Sequence, residues 1–191
     1  MFWILQEYPN IERAIINDIN AELINTYTTI RDNSDELISR LDCRQSVEFG
    51  SVTFHTGSMF GKRVVVARCG IGKVFAAIAS EAMALRYSPS LIINTGVGGA
   101  IADGLKTGDI VIADRLVQHD MDTSPLGDPV GMLSGLNMVE LPAHSGLIQT
   151  LAKAAEAVGA KAVCGVVASG DQFIADQQKK NLIRTRFNAA C

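Results

Sequence analysis

Leu91-Ile92-Ile93-Asn94-Thr95-Gly96-Val97-Gly98-Gly99-Ala100 decides the fold. A short apolar run, as a strand covered on both faces requires, opens directly into glycines that let a ligand approach the main chain. The same grammar recurs outward in both directions. Val64-Val65-Val66-Ala67-Arg68-Cys69 runs into Gly70-Ile71-Gly72-Lys73, and Lys161 to Val167 runs into Ala168-Ser169-Gly170-Asp171-Gln172-Phe173-Ile174, while Asp109 to Ala113 restarts the sheet after Lys106-Thr107-Gly108. Between these strands, Val74 to Leu85 and Ser145 to Val158 carry apolar residues at helical spacing, and Gly159 is placed to end the second. Strands alternating with helices predict an α/β fold, three-layer αβα around a central mixed sheet. Ser46 to His55 has strand character, and Met59-Phe60-Gly61-Lys62 turns into the Val64 strand, which predicts an antiparallel pair added to that sheet. Residues 25–39 are polar and become helical toward Leu37-Ile38-Ser39-Arg40-Leu41. Phe187-Asn188-Ala189-Ala190-Cys191 reads as the lead-in to another strand. No linker or internal repeat interrupts the pattern, so one domain over 1–191 is expected, with residues 1–14 an atypical N-terminal extension.

Composition narrows the function. The chain has 191 residues, 48% hydrophobic and 19% charged, enough for a sizeable core and too apolar for disorder. Its formal net charge of -3 comes from dispersed acids and bases without a basic stripe, so nothing favours a nucleic-acid partner. No segment reaches the roughly 18 apolar residues of a membrane span. Met1-Phe2-Trp3-Ile4-Leu5 lacks the basic flank of a signal peptide, and a cytoplasmic location is expected. Cys43, Cys69, Cys164 and Cys191 form no C-x-x-C pair and read as buried apolar thiols in a reducing compartment.

The glycine loops narrow it further. Gly70-Ile71-Gly72 joins a strand to a helix, where backbone N–H groups can meet an anion or polar ligand atom; equally, the glycines can serve only a tight turn. Phe75 stands where a dinucleotide fingerprint needs its third glycine, and no phosphate-binding G-x-x-x-x-G-K-[ST] occurs, so neither nucleotide motif applies. Open α/β sheets bind ligands at strand C-terminal ends. Three such edges, at Gly70–Lys73, Asn94–Ala100 and Ser169–Ile174, are expected to converge on one pocket.

Taken in order, Gly70-Ile71-Gly72-Lys73-Val74, Ile93-Asn94-Thr95-Gly96, Gly98-Gly99, Gly108-Asp109-Ile110-Val111, His119-Asp120-Met121-Asp122 and Ser169-Gly170-Asp171-Gln172-Phe173-Ile174 resemble the 5'-methylthioadenosine/S-adenosylhomocysteine nucleosidases of the nucleoside phosphorylase superfamily. The resemblance runs from about Phe49 onward. It implies hydrolysis of the N-glycosidic bond of an adenine thionucleoside, without cofactor or metal, by a homodimer. Ile15 to Glu22 is similar to the family's first strand and turn, and by that likeness Glu22 is the carboxylate that activates the attacking water. Asp18-Ile19 departs there from the family's Ala-Met. Backbone groups of Phe173 and Ile174 would read the adenine edge, with the Phe173 ring stacked on the base. Val97 and Gly98 would flank the ribose, and Ile71 and Ile19 would line the alkylthio slot. Val97 replaces a serine found in some relatives.

In the family the ribose-binding Glu-Met-Glu stretch and the aspartate that protonates adenine lie beyond the counterpart of Cys191. The sequence is therefore expected to be a C-terminally truncated nucleosidase with little or no activity, since a positioned general acid contributes roughly 10²- to 10⁴-fold. His119 with Asp120 and Asp122 belongs in the family to a structural, subunit-contact region rather than to a metal site. The Thr123–Met132 loop, with Leu126 and Met132, would close the partner's pocket. Two rivals stand beside hydrolysis. One is a phosphorolytic enzyme, for which Arg68, sharing a strand face with Gly70, would be the phosphate ligand; the other is an adenine-nucleoside-binding protein without turnover.

Overall fold

The structure, a computed structural model, describes residues 13–18, 35 and 37–191. It divides into two compact units, one running to Val97 and one from Gly98 to Cys191. Both are α/β with mixed sheets, in line with the sequence pattern.

The first unit holds β1 (Arg13–Asp18), β2 (Asp42–Phe49), β3 (Val52–Met59), β4 (Lys62–Cys69), the helix α1 (Lys73–Tyr87) and β5 (Ile92–Thr95). Its five-stranded sheet has the order β2-β3-β4-β1-β5. β4, β1 and β5 are parallel, while β2, β3 and β4 form an antiparallel meander. The run expected as one strand over Ser46 to His55 is two, because Gly50 turns the chain at a φ of 61° that favours glycine. Phe60 and Gly61, both at positive φ (52° and 74°), make the tight turn that the right-handed twist of a hairpin demands.

β4 explains its own composition. Val65, Ala67 and Cys69 pack with Val52, Phe54 and Ile92 against Ala79, Ala82 and Met83 of α1. Val64 and Val66 point the other way, into a second cluster with Ile38 and Leu41. A strand with a core on each face must be apolar at successive positions.

The second unit holds β6 (Ile110–Gln118), a 3-10 turn (Ser124–Leu126), β7 (Leu141–Pro142), α2 (Ser145–Ala157), β8 (Ala162–Ser169) and α3 (Gln177–Phe187). The sheet order is β7-β6-β8, with β6 and β8 parallel and β7 antiparallel to β6. β6 runs past the expected end at Ala113. A register shift at Asp114 resets the alternation, and Leu116 and Val117 return to the core. His144 caps α2, its Nδ1 accepting from the Leu147 N–H at 3.3 Å, and Gly159 ends the helix at a φ of 70°. α3, unforeseen from the sequence, starts at Asp176, whose carboxylate accepts from the N–H groups of Gln178 and Lys179. Its Ile183 and Phe187 join Val117, Val166 and Ala189 in the core.

The expected lead-in at the C-terminal residues is present: Ala189 bridges Val166 in parallel, the Ala190 N–H donates to the Val166 carbonyl and the Ala168 N–H to that of Cys191, each at 2.8 Å. The thiols depart from expectation. All are free, but only Cys69 is buried, while Cys43 and Cys164 are exposed.

Candidate active site

Within the first unit, parallel register lines up the C-terminal ends of three neighbouring strands: Asp18 of β1 lies opposite Cys69 of β4, and Asn17 opposite Thr95 of β5. The glycine loops after β4 and β5 therefore leave the same edge of the sheet. Gly72 precedes α1 at a φ of 93° with no side-chain cap, so the positive end of the helix faces the turn. Gly70 is required by packing, because a Cβ there would stand 2.8 Å from the Phe75 ring, which folds back over the turn. Ile71 is half-exposed beside it. Val97 lies two residues beyond the end of β5. Ile19 and Glu22 lie outside the described residues.

Arg68, the candidate phosphate ligand, is committed elsewhere: its Nη2 donates to Asp35 Oδ1 at 2.6 Å. The same face carries His55, bonded to Ser46 Oγ at 2.8 Å. Burial, reinforced by Arg44 and Arg68, holds the His55 pKa below its ordinary value.

Within the second unit, the ends of β6 and β8 lie side by side, and Gly98 lies against the extended Ala189–Cys191 segment that pairs with β8. A Cβ on Gly98 would come within 3.0 Å of Cys191 Sγ, and the Ala190 carbonyl accepts from the N–H groups of Ile101 and Ala102 at 2.9 and 3.0 Å. Burial pushes the Cys191 thiol above its ordinary pKa. Gly165 on β8 admits Ala190, whose Cβ would lie 2.9 Å from an added Cβ.

β8 then opens into the Ser169–Ile174 loop. Phe173 is 63% exposed, whereas its neighbour Ile174 is partly buried and packs against the core cluster that contains Phe187. An exposed aromatic ring on a backbone held by its neighbours is what stacking on a flat base needs. Salt bridges pin the rest of the unit. Arg184 grips Asp103 with Nη1 and Nη2, and Lys161 Nζ donates to Asp109 Oδ2 at 3.0 Å and to the Gly104 carbonyl at 2.9 Å. The Lys106 N–H and Lys161 hold the Asp109 carboxyl below its usual range.

Sequence reasoning missed the partners of the Phe173 loop. The His119 N–H donates to the Ser169 carbonyl at 3.0 Å, and Asp120 Oδ2 accepts from the Asp171 N–H at 2.7 Å. Asp122 caps the following turn by accepting from the Ser124 N–H at 2.9 Å, and the Ser124 hydroxyl, then its N–H, hold the Asp122 carboxyl below its usual range. These bonds occupy the His-Asp stretch with loop fixation, and among the described residues no group of three or more His, Cys, Asp or Glu could hold a metal ion.

The sequence profile described as the Phosphorylase superfamily matches residues 33–191. A 5'-methylthioadenosine/S-adenosylhomocysteine nucleosidase of Shewanella denitrificans is 34% identical over 158 residues, covering 81% of this chain and 68% of that protein. The chain belongs to this nucleosidase family of the phosphorylase superfamily. Among solved structures, the Neisseria meningitidis nucleosidase in complex with methylthio-immucillin-A superposes with a TM-score of 0.83 at 27% identity, over 94% of this chain and 74% of that one. Native futalosine hydrolase of Helicobacter pylori gives 0.80 at 27%, over 94% and 76%. A second profile, D12 class N6 adenine-specific DNA methyltransferase, matches residues 1–53. The nucleosidase-family segment and the segment carrying Ile19 and Glu22 are thus covered by different profiles. Among the described residues no helix is long and apolar enough to cross a membrane.

Proposed function

We propose that the protein binds adenine thionucleosides and hydrolyses their N-glycosidic bond, with 5'-methylthioadenosine and S-adenosylhomocysteine as substrates. The observation that carries this reading is the Ser169–Ile174 loop, with an exposed Phe173 ring on a backbone anchored by Ile174. Phe173 stacks on adenine, and the main chain of Phe173 and Ile174 bonds its edge. Gly98 and Val97 flank the ribose, and Ile71 with Ile19 lines the alkylthio slot. Cleavage makes the ribose oxocarbenium-like and the adenine a leaving group, so a water must be held against the anomeric carbon.

Glu22 is the proposed base for that water. Its support is the likeness of Ile15–Glu22 to the family's first strand and turn, together with the parallel place of β1 between β4 and β5. The methyltransferase match over residues 1–53 is the observation against it. Glu22→Gln decides: a base loses turnover by 10²-fold or more while adenine binding is kept, and an unchanged rate removes Glu22 from the mechanism.

Water rather than phosphate is favoured because Arg68 is already paired with Asp35. A homodimer, with the 83%-exposed Leu126 at the partner's pocket, and a cytoplasmic location, in keeping with four free thiols, complete the proposal. The test is adenine release from 5'-methylthioadenosine at high protein concentration, with and without phosphate. Equal release in both supports hydrolysis, and release only with phosphate supports phosphorolysis. Absence of both release and saturable adenine binding refutes the substrate class.

A further inference from the structure

The loop proposed to read adenine is held by residues at the end of the neighbouring strand, none of them among those proposed to contact the base. Three contacts converge on Ser169, Gly170 and Asp171. The His119 N–H donates to the Ser169 carbonyl at 3.0 Å. The His119 imidazole lies against Gly170, so closely that an added Cβ would collide with Nε2 and stand 2.7 Å from Cε1 and 2.9 Å from Cδ2. Asp120 Oδ2 accepts from the Asp171 N–H at 2.7 Å, a short bond to a carboxylate. Consecutive residues at the end of β6 thus fix consecutive residues at the end of β8, and these strands are parallel neighbours. Two residues further on stands Phe173, whose ring is exposed and whose direction depends on the backbone before it.

We infer that His119 and Asp120 are positioning residues for nucleobase recognition: they set the backbone of Ser169–Asp171, and through it the Phe173 ring and the Phe173–Ile174 main chain. The inference rests on the proposed adenine site and adds what holds that site in shape. An aromatic platform binds a base well only if it is already in place, since ordering it on binding would subtract from affinity. Gly170 is glycine because the imidazole occupies the volume a side chain would need. Asp120 supplies a charged acceptor where a neutral one would bond more weakly.

The experiment is calorimetric titration with adenine of the wild-type protein, Asp120→Ala and Asp120→Asn, with thermal midpoints measured alongside. Asp120→Ala is expected to weaken adenine binding by about 10- to 100-fold, the effect of losing one charge-assisted bond that fixes the site. Asp120→Asn keeps an oxygen that accepts from the Asp171 N–H and should stay within about fivefold of wild type. Equal binding by wild type and Asp120→Ala, or an equal loss in both variants, overturns the inference. A wild-type protein that binds no adenine overturns the substrate reading itself, and this inference with it. Should Asp120→Ala fail to fold, hydrogen exchange on the wild type decides. The Asp171 amide is expected to exchange at least tenfold slower than in an unstructured peptide and slower still with adenine, and an unprotected amide contradicts the brace.

Discussion

Replacing Gly170 by alanine tests the His119 brace through stability. Gly170 is not among the residues at positive φ, so alanine fits its backbone and the cost is steric alone. The new Cβ would collide with His119 Nε2 and lie 2.7 Å from Cε1, where ordinary contact begins near 3.4 Å, so the imidazole has to withdraw by about 1 Å or more. It cannot simply follow its backbone, because the His119 N–H is bonded to Ser169 next to the substituted residue. Overpacking of this kind costs about 1–3 kcal/mol. For a chain of this size each kcal/mol lowers the melting temperature by about 2–4 °C, which gives a drop of roughly 2–12 °C. The control is a double-mutant cycle with His119→Ala. With the ring removed, Gly170→Ala should cost less than about 0.5 kcal/mol, leaving a coupling of about 1–3 kcal/mol between the positions. Denaturant unfolding of the four proteins measures it. A loss that persists undiminished in the His119→Ala background, or no loss in the single variant, would refute the reasoning.

Phe173→Ala should weaken adenine binding by roughly 5- to 150-fold, the range expected for about 1–3 kcal/mol of base stacking, with little change in melting temperature because the ring is largely exposed. An unchanged dissociation constant would place the base elsewhere. His55 should make stability pH-dependent. Burial, then Arg44 and Arg68, depress its folded-state pKa, so the unfolded chain binds the proton more readily; stability is whole above the ordinary value near 6.5 and is lost as pH falls through the depressed value. Melting temperatures from pH 7.5 to 5.5 should therefore fall more steeply in wild type than in His55→Gln, and parallel curves would contradict this. Cys43 and Cys164 should react promptly with an aromatic disulfide reagent at pH 8, while Cys69 and Cys191 wait for unfolding. Prompt reaction of all four would show that the Gly98–Cys191 contact is not formed.

The strands were legible where two cores flank them. Val64–Val66 are apolar in succession because both sheet faces are covered there, Ile92 of Leu91–Ile93 joins the first of those cores, and glycines follow where the chain turns at the strand ends. α3 was not legible because only Ile183 and Phe187 of Gln177–Phe187 are buried, which leaves no apolar stripe; the available signal was Asp176 placed to cap the run. β6 beyond Ala113 was obscured by Asp114 and Arg115. The register shift there turns charge outward, where Arg115 reaches Glu140 at 3.0 Å. The split of β2 from β3 hung on one positive φ at Gly50. In the candidate site, Phe173 and Ile174 were readable as a motif, but the brace on them was not. His119 and Asp120 lie about fifty residues away in sequence, and only the parallel register of β6 with β8 brings them to Ser169 and Asp171.

The most direct test of the account is the sugar product formed from 5'-methylthioadenosine in phosphate buffer, followed by adenine chromatography and phosphorus NMR on the same sample. The account predicts that the adenine released, however little, is matched by free thioribose with no sugar phosphate, at a rate unaffected by phosphate. A ribose 1-phosphate appearing in step with adenine would contradict it and would assign attack on the anomeric carbon to phosphate.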